Sequence, residues 1–580
     1  MARLNRLLRD AWALAVPYWR SEDRWAARAL LLVVVVLNLG IVYLNVLLNQ
    51  WNNAFYNALQ DKNYAVFLHQ LVRFSWLAVL YIIVAVYQLY LNQMLQIRWR
   101  RWLTDRYLQA WLAGGAYYRM QVAAAKTDNP DQRIAEDLNL FVSGTFGLAI
   151  GGLRAAVTLV SFVVILWGLS GTVVIPLGRA SFAVPGYMVW TALVYAIVGT
   201  WVTSRIGRPL VQLNFEQQRY EADFRFGLVR FRENAESVAL YHGESAELRG
   251  FQARFGAVVR NFWEIMRRQK RLTWFTAGYA QAAVIFPIVV AAPRYFRGAI
   301  HLGGLIQTAT AFGQVQDSLS FIVSSYTDIA TWRSVIERLV GFERGLAQVR
   351  SEPAGGGIAH LEDDAARLAL EKLDLELPDG RQLIGGVNLS LARGDTVLLG
   401  GRSGTGKSTL IRAVAGIWPF GRGAVRLPRG ARILVLPQKP YLPIGTLRDV
   451  VGFPGEAGDA TLREALAAVE LPELAGRLDE ADHWALRLSP GEQQRIAFAR
   501  ALVQKPDWLF LDEATSALDE ATEARLYRLL RERFPDVALF SVGHRGTLRP
   551  FHARELVVRS EGKGPARIVD VTAGGAEQVG

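Results

Sequence analysis

The sequence predicts a chain of two parts: an α-helical membrane domain of six transmembrane helices with long cytoplasmic extensions, and then an α/β domain with a phosphate-binding loop. A chain of 580 residues is too long for a single hydrophobic core. Its hydrophobic content of 51% is high for a soluble protein. In the C-terminal part, the glycine-rich string "GGRSGTGKST" lies between a strand-like and a helix-like run.

Six stretches come near the length of about 20 apolar residues that a helix needs to cross the hydrocarbon layer. The predicted spans are residues 29–48, 74–94, 150–170, 184–203, 272–292 and 303–330. The third and sixth are the least regular, because Arg154 borders one while Asp317 and Asp328 interrupt the other. The basic, amphipathic N-terminal segment lacks a signal-peptide pattern and predicts a helix on the membrane surface, with an ordinary soluble amphipathic helix as the alternative.

The net charge of +13 is compatible with a nucleic-acid partner or with an anionic membrane surface. Most of the arginines lie before the first span and in the connections that follow the second and fourth spans, whereas the other connections hold few. Positive charge accumulates on the cytoplasmic side of a membrane. We therefore expect a multi-pass protein of the plasma membrane, the inner membrane of a bacterium, with both termini and the α/β domain in the cytoplasm and no nucleic-acid partner.

Composition changes divide the chain further. We expect the transmembrane domain at residues 1–345, a Pro/Gly-rich linker at 346–360, the α/β domain at 361–568 and a disordered tail at 569–580. The absence of cysteine excludes disulfides and thiolate metal sites.

The glycine-rich string has the spacing of a phosphate-binding loop. Its glycines let backbone N–H groups turn toward a phosphate, Lys407 neutralises the β- and γ-phosphates, and Ser408 can hold Mg²⁺. A chance match in a structural loop is the alternative, which the flanking strand and helix disfavour. The predicted ATP-binding residues are Gly401, Arg402, Ser403, Gly404, Thr405, Gly406, Lys407, Ser408 and Thr409.

Two carboxylates end the apolar run in "DWLFLDEATSALD". Asp512 is placed to bind Mg²⁺ through water, and Glu513 to polarise the attacking water as a general base. Two acids after a strand can also be solvated turn residues, but the phosphate loop upstream favours the catalytic interpretation.

Together these residues resemble the nucleotide-binding domain of an ABC transporter. The resemblance implies an ABC exporter-type fold, ATP and Mg²⁺ as cofactors, and two further catalytic residues: Gln438 of "LPQKPYLP", also a Mg²⁺ ligand, and His544 of "SVGHR", which contacts the γ-phosphate. A structural histidine is the alternative for His544. The aromatic residue that many members stack on adenine is missing, and Leu377 stands near its place.

The membrane half narrows the resemblance to one branch. The strings "NPDQRIAEDLNLF", "EADFRFGLVRFRENAESVALYHGE" and "LPQKPYLPIGTLRD" resemble the peroxisomal fatty-acyl-CoA half-transporters and the bacterial uptake transporters that are similar to the SbmA/BacA peptide permeases but fused to an ATPase. ABC hydrolysis sites form between two ATPase domains, and this chain has one. We therefore expect a homodimer in which Ser489, Gly491 and Asp519 reach the ATP of the partner chain.

Polar residues of the sixth predicted span share one helix face, among them Gln307, Gln314 and Asp317. We expect them to line a wet cargo cavity in the lipid bilayer, or else to hydrogen-bond neighbouring helices as packing contacts. Acyl-CoA would need a cationic patch, and Arg154 is the only arginine that we place close to a span interior. The sequence thus favours ATP-driven uptake of a small hydrophilic solute or peptide, such as cobalamin. Transport of fatty acyl-CoA or lipids is the main alternative, and a non-transporting regulatory ATPase is the third.

The signature-like string "LRLSPGEQQRIAFARAL" has Pro490 and Glu492 where ABC proteins usually have glycine and glutamine. Ser489, Pro490 and Glu492 have the spacing of a helix N-cap, a first helical proline and a capping box. Gly491 still lets a phosphate approach the backbone. The string therefore predicts a stiffened anion site rather than a lost one.

Overall fold

The computed structural model describes residues 2–122, 129–177, 180–351, 357–559, 564–572 and 577–578. The chain forms two compact units. The first consists of Met1–Leu108 and Asn129–Gly341, and the second of Gln109–Asp128 and Phe342–Gly580.

Long helices build the first unit. The helices and strands up to residue 351 are α1 Ala2–Trp19, α2 Arg24–Gln60, α3 Tyr64–Leu112, α4 Ala116–Val122, α5 Pro130–Gln132, α6 Leu138–Ser170, β1 Thr172–Leu177, β2 Ala180–Pro185, α7 Tyr187–Glu233, α8 Ala235–Leu240, α9 Glu244–Phe296, α10 Leu302–Ser324 and α11 Tyr326–Ser351. A π-helical turn at Arg133–Asp137 joins α5 to α6, and β1 pairs antiparallel with β2.

Five helices among the described residues are long and apolar enough to cross a membrane: Arg24–Gln60, Tyr64–Val122, Pro130–Ser170, Tyr187–Glu233 and Glu244–Phe296. Each contains most or all of one of the first five predicted spans. With 53 residues, α9 is about 80 Å long, more than twice the hydrocarbon thickness of about 30 Å. The long helical extensions of the membrane domain are therefore confirmed.

The sixth predicted span differs from the prediction. Its helix α10 does not reach the apolarity of the other five, and it ends at Ser324, so Asp328 belongs to α11. The polar face is thus continuous only as far as Ser324. The helix of the fourth predicted span, α7, also starts later than predicted, because residues 184 and 185 belong to β2.

Neighbouring helices of the first unit meet through both apolar and polar contacts. Side chains of α6, α7 and α10 form a buried cluster that includes Phe162, Met188 and Phe312. Between α7 and α9, Tyr195 and Tyr279 stack with their centroids 4.3 Å apart, and each hydroxyl donates to the backbone carbonyl of the other residue at 2.6 and 2.9 Å. These polar contacts fix the pairing of helices for which lipid provides no hydrophobic driving force.

The second unit is an α/β domain. Its elements are β3 Ala359–Asp363, β4 Arg367–Glu376, β5 Gln382–Ala392, β6 Thr396–Gly401, α12 Lys407–Val414, β7 Gly421–Pro428, β8 Ile433–Leu436, β9 Gly445–Thr446, α13 Leu447–Gly452, α14 Asp459–Ala468, β10 Ala481–Asp482, α15 Trp484–Arg487, α16 Pro490–Gln504, β11 Trp508–Asp512, α17 Glu520–Arg533, β12 Ala538–Val542, β13 Arg554–Arg559, β14 Arg567–Asp570 and β15 Glu577–Gln578.

The main sheet of the part of this unit that the structure describes has the strand order β15-β14-β13-β6-β12-β11-β8. The strands β13, β6, β12, β11 and β8 run parallel, so β6, β12 and β11 end at the same edge of the sheet. A second sheet has the order β3-β7-β4-β5. Loops that follow the carboxyl ends of neighbouring parallel strands are the usual place for a ligand site in such folds.

The boundaries of the second unit also differ from those predicted. Residues 346–351 continue helix α11 into the predicted linker, and β3 begins at Ala359. In the predicted tail, β14 continues to Asp570, and Glu577–Gln578 pair with it as β15. Residues 573–576 and 579–580 of the tail lie outside the described residues.

Candidate nucleotide site

The phosphate loop connects β6 to α12 and requires glycine at several positions. Gly401, Gly404 and Gly406 have φ values of 132°, 80° and 96°, which L side chains rarely adopt. At Gly401 an added Cβ would also lie 2.9 Å from the backbone oxygen of Val558. Glycine therefore allows the loop to wrap a ligand at the end of the central strand.

Lys407 lies inside this loop. Its Nζ donates to the carbonyls of Gly401 and Arg402, both at 2.8 Å, while Thr405 Oγ1 donates to the Arg402 carbonyl at 2.9 Å. Burial lowers the pKa of Lys407, and the nearby Glu513 and Asp512 oppose that shift. Arg402, Ser403 and Gly404 are exposed at the loop tip, whereas Thr409 is buried in the first turn of α12. The ammonium is thus held in the loop by carbonyls that a phosphate would replace.

The end of β11 brings an acid to the phosphate loop. Asp512 Oδ1 accepts a hydrogen bond of 2.9 Å from Ser408 Oγ. Burial raises the pKa of the Asp512 carboxyl, partly opposed by this hydrogen bond. A hydroxyl and a carboxylate in contact are the oxygen donors that Mg²⁺ prefers, with water and phosphate completing its shell.

Glu513 occupies a strained position between two other loops. Its φ of 51° is left-handed, and its N–H donates to the carbonyl of Val542 at 3.1 Å. One carboxylate oxygen accepts from Gln438 Nε2 at 3.0 Å, and the other lies 3.4 Å from His544 Nε2. The structure therefore brings together Glu513, Gln438 and His544, which the sequence predicted to act together.

The signature-like string forms the predicted capping box. Ser489 caps α16, Pro490 is its first residue, and Glu492 N–H donates to Ser489 Oγ at 3.3 Å. In return, Glu492 Oε2 accepts from the backbone N–H and the hydroxyl of Ser489, both at 2.7 Å. These hydrogen bonds hold the pKa of Glu492 below its usual range, so the carboxylate is ionised at neutral pH and turned back toward Ser489.

The segment between β11 and α17 packs against the signature helix. A Cβ at Gly491 would lie 3.3 Å from the carbonyl of Ala517. Asp519 caps α17, where its carboxylate accepts from the backbone N–H and the hydroxyl of Thr522, both at 2.8 Å, and these hydrogen bonds lower its pKa. Ser489, Gly491 and Asp519 thus belong to two helix starts, which also attract anions.

Gln494 is a site residue that sequence reasoning missed. Its side chain is buried, and Nε2 donates to the backbone carbonyl of Gln438 at 2.9 Å and to Ser516 Oγ at 3.1 Å. Its Oε1 accepts from the Ala517 N–H at 2.9 Å. Gln494 therefore connects the signature helix to two catalytic loops, and because these partners are remote in sequence, no local signal could reveal them.

The region near the missing aromatic is apolar. Leu377 packs against the core of the unit, and its N–H donates to the Arg381 carbonyl at 2.8 Å. The indole N–H of Trp418 donates to the Glu376 carbonyl at 2.9 Å, but Trp418 is buried. An aliphatic side chain, Leu377, thus lies near the position at which many ABC proteins have an aromatic ring.

The three predicted cavity residues lie in different surroundings on α10. Gln307 is buried, and its Oε1 accepts a hydrogen bond of 2.6 Å from Asn53 on α2. Gln314 is half-buried and Asp317 is exposed. Gln307 therefore makes a helix contact, as the packing alternative had it, whereas Asp317 presents its carboxylate outward.

The sequence interpretation overlooked a cationic cavity in the membrane unit. A volume of about 410 Å³ lies beside α7 and is lined by Leu193, Ala196, Ile197, Thr200, Trp201, Ser204, Arg205 and Arg208, with Leu319 of α10. The predicted fourth span ends at residue 203, and Arg205 and Arg208 follow that end by two and five residues.

Comparison with known proteins agrees with this architecture. Residues 14–296 match the family model for ABC transporter transmembrane region 2, and residues 384–516 match that for ABC transporters. The chain is 34% identical to the inner membrane ABC transporter ATP-binding protein YddA of Escherichia coli over 93% of this chain and 96% of that protein. It is 27% identical to the human lysosomal cobalamin transporter, over 94% and 93% of the two chains.

A solved bacterial Atm1-family ABC exporter with ATP bound shares the fold, with a TM-score of 0.73 at 17% identity over 94% of this chain and 95% of that one. The exporter-type architecture is thereby confirmed. The chain belongs to the ABC half-transporters, in which a membrane domain is fused to an ATPase domain that binds ATP and couples its hydrolysis to transport.

Proposed function

We propose that the protein is a homodimeric transporter of the bacterial inner membrane that uses ATP to take up hydrophilic solutes such as cobalamin or peptides. The contacts of Glu513 carry the ATPase part of this proposal, because both of its oxygens are held by residues of two other loops. The uptake and the cargo rest on the polar face of α10 and on the relatives. Both termini and the ATPase domain lie in the cytoplasm under this proposal, as the arginine distribution favours.

The phosphate loop binds the triphosphate of ATP in this proposal. The backbone N–H groups of residues 401–409 and the Lys407 ammonium face the β- and γ-phosphates. Ser408, Asp512 and Gln438 would hold Mg²⁺, which would neutralise charge on the phosphates. The contact of Ser408 with Asp512 fits that ion, since it places a hydroxyl and a carboxylate oxygen 2.9 Å apart.

Hydrolysis needs a base that faces the attacking water. Glu513 accepts a proton from the attacking water. Gln438 and His544 orient the two carboxylate oxygens of Glu513 and contact the nucleotide. Glu513 has a strained, left-handed φ at the strand end, and the contacts with Gln438 and His544 hold its carboxylate there. Leu377 contributes an apolar contact to the adenine in place of a stacked aromatic ring. The phosphates therefore supply a larger share of the affinity for ATP than in ABC proteins that have the aromatic residue.

A second copy of the chain completes each site. Ser489, Gly491 and Asp519 of one chain reach the ATP that is bound to the phosphate loop of the other. The capped start of α16 supports this role, because its Gly491 N–H and the helix dipole favour a phosphate, while the ionised Glu492 is turned away into the capping box. A symmetric homodimer with two equivalent sites is the simplest arrangement.

The cargo proposal rests on α10. A carboxylate within a membrane helix faces a water-filled cavity or a partner, and the exposed Asp317 and half-buried Gln314 supply such a surface. Gln307 of the same helix is buried in its contact with Asn53 and does not belong to this surface. The relative named as a cobalamin transporter supports a hydrophilic cargo.

A lipid or fatty acyl-CoA cargo is the second candidate, and the α7 cavity favours it. Apolar residues from Leu193 to Trp201 line one end and Arg205 with Arg208 the other, which suits an acyl chain with an anionic head. Uptake of labelled cobalamin, peptide and acyl-CoA into proteoliposomes, with ATP on the ATPase side, separates the candidates. We expect cobalamin or peptide to accumulate, with a loss of at least fivefold in Asp317→Asn. Accumulation of acyl-CoA alone, unaffected by Asp317→Asn, would contradict the proposal.

A regulatory ATPase that moves nothing is the third candidate. In that case no cargo would stimulate ATP turnover, and no cargo would accumulate in the vesicles.

Glu513→Gln is the negative control for the uptake assay. We expect this variant to bind ATP normally but to lose ATP turnover and uptake by at least a hundredfold, because the amide cannot accept the water proton. Unchanged turnover would remove Glu513 from the mechanism.

A further inference from the structure

A buried carboxylate near the nucleotide site has no part in the proposed chemistry. Glu523 lies in the first turn of α17, and its side chain is 1% exposed. An ionised carboxylate is costly to bury unless it is paired and hydrogen-bonded. Its partners therefore indicate what it holds in place.

Two threonines from different loops donate to Glu523. Thr515 Oγ1 donates to one carboxylate oxygen and Thr547 Oγ1 to the other, both at 2.6 Å. Thr515 follows the proposed base Glu513 by two residues, and Thr547 follows His544 by three. Glu523 thereby joins the loop after β11 to the loop after β12.

Arg545 adds a second link between the same loops. Its Nη1 lies 3.6 Å from Glu523 Oε2 and donates to the Leu518 carbonyl at 2.8 Å, while Nη2 donates to the Ser516 carbonyl at 3.1 Å. The guanidinium is therefore held by hydrogen bonds to two carbonyls and by an ion pair with a buried carboxylate. Since Arg545 follows His544 in the chain, the position of the imidazole depends on this arrangement.

We propose that Arg545 and Glu523 are positioning residues, which hold the His544 loop and the Ser516–Asp519 segment as one unit and so keep the imidazole against Glu513. This inference rests on the proposed function, in which His544 contacts the γ-phosphate and Asp519 reaches the partner's site. The hydrogen bonds and the ion pair described for Arg545 and Glu523 go to the loops after β11 and β12 rather than to the phosphate loop. Loss of the pair therefore slows the chemical step more than it weakens ATP binding.

Arg545→Ala tests the inference in the full-length protein in lipid nanodiscs. We expect kcat for ATP to fall at least tenfold, with KM within twofold of wild type, at a temperature at which the variant is fully folded. The thermal unfolding midpoint falls as well, because Glu523 loses the cation beside its buried carboxylate. Arg549→Ala is the matched control, because Arg549 lies one turn further along the same segment and is 66% exposed, and its side chain pairs with Glu555 of β13 at 2.9 Å rather than with the loop after β11. At a temperature at which both variants are folded, equal kcat values would overturn the inference. So would a rise in KM for Arg545→Ala by the same factor as the fall in its kcat.

Thr547 offers a variant of smaller perturbation. Thr547→Val keeps the shape of the side chain but removes the donor to Glu523, and Thr547→Ser keeps the donor. We expect kcat to fall at least about threefold in the valine variant, because one hydrogen bond to Glu523 is lost. In the serine variant the hydrogen bond remains, and we expect kcat to stay within about 1.5-fold of wild type. Equal activities of the two variants would contradict a role for the hydrogen bond.

A double variant separates this inference from the proposed function. If Arg545 acts through His544, adding Arg545→Ala to His544→Ala causes no further loss of kcat. Suppose that kcat is low in His544→Ala and that the double variant loses a further factor as large as Arg545→Ala alone causes. That result would overturn the inference but leave the proposed function intact. A wild-type kcat in His544→Ala would overturn the role of His544 itself, and with it the inference.

Discussion

Pro490 shows at the scale of one residue how a departure from a family pattern can leave a site intact. It is the first residue of α16, where its missing N–H has no partner in the helix and its fixed φ suits the helix start. The capping box between Ser489 and Glu492 stabilises the same helix start by roughly 1 kcal/mol. The unusual residues thus stiffen the helix start that carries Gly491, the residue proposed to approach the phosphate of the partner's ATP.

The first prediction concerns this helix start. We expect Pro490→Gly to keep ATP turnover within about threefold of wild type, since the cap and the N–H groups remain. Ser489→Arg should abolish turnover, because it removes the cap and places a long side chain where the nucleotide approaches. ATP hydrolysis by the purified protein in nanodiscs measures both. A greater loss in Pro490→Gly than in Ser489→Arg would show that the proline itself is needed.

Gln494 carries the second prediction at this scale. Gln494→Met removes the hydrogen bonds to Gln438, Ser516 and Ala517, and we expect kcat for ATP to fall at least tenfold because two catalytic loops lose their connection. Gln493→Met is the control, since the Gln493 amide donates to the carbonyls of Ala485 in α15 and of Leu488, which lies just before α16. We expect that change to lower the unfolding temperature with less than a threefold loss of kcat. The opposite ranking of the two variants would contradict the bridging role.

At the scale of elements, what could be predicted from sequence depended on how local the signal is. The strand before the phosphate loop, the two acids after β11 and the capping box all follow from residues within a few positions of each other. The contact of Gln307 with Asn53 depends on two helices that are far apart in the chain. The same reason explains why the spacing of Arg205 and Arg208 did not reveal the cavity beside Leu319.

The meeting of α2 and α10 gives the third prediction. An added Cβ at Gly303 would lie 2.0 Å from the backbone oxygen of Asn53, and the Gly303 N–H donates to Asn57 Oδ1 at 2.8 Å. Gly303→Ala therefore forces the two helices apart, and we expect a loss of at least 5 °C in thermal unfolding midpoint and of uptake.

Gly304→Ala is its control, because the Cβ there would meet only Ile300 at 3.6 Å and alanine favours a helix over glycine. We expect that variant to be as stable as wild type or slightly more so. Unfolding is followed by tryptophan fluorescence in detergent, and uptake in proteoliposomes. Equal stability of the two variants would show that the close approach of α2 and α10 is not needed.

At the scale of the whole molecule, the fourth prediction is that two copies share each hydrolysis site. Lys407→Ala damages the phosphate loop and Ser489→Arg the signature helix, so a homodimer of either variant has two damaged sites. A mixed dimer has one site with both defects and one with neither. We expect each homodimer to be inactive and the mixed dimer to show about half of the wild-type turnover if the two sites work independently.

Co-expression of the two variants with different affinity tags and successive purification on both tags isolates the mixed dimer. Its ATP turnover in nanodiscs, compared with the singly tagged homodimers, distinguishes a shared site from a site within one chain. If the phosphate loop and signature helix of the same chain formed the site, each chain of the mixed dimer would carry a damaged site, and no activity would return. Recovery of turnover therefore requires that Ser489 of one chain serve the ATP bound near Lys407 of the other, and it makes pairing a condition of catalysis rather than only of the transport path.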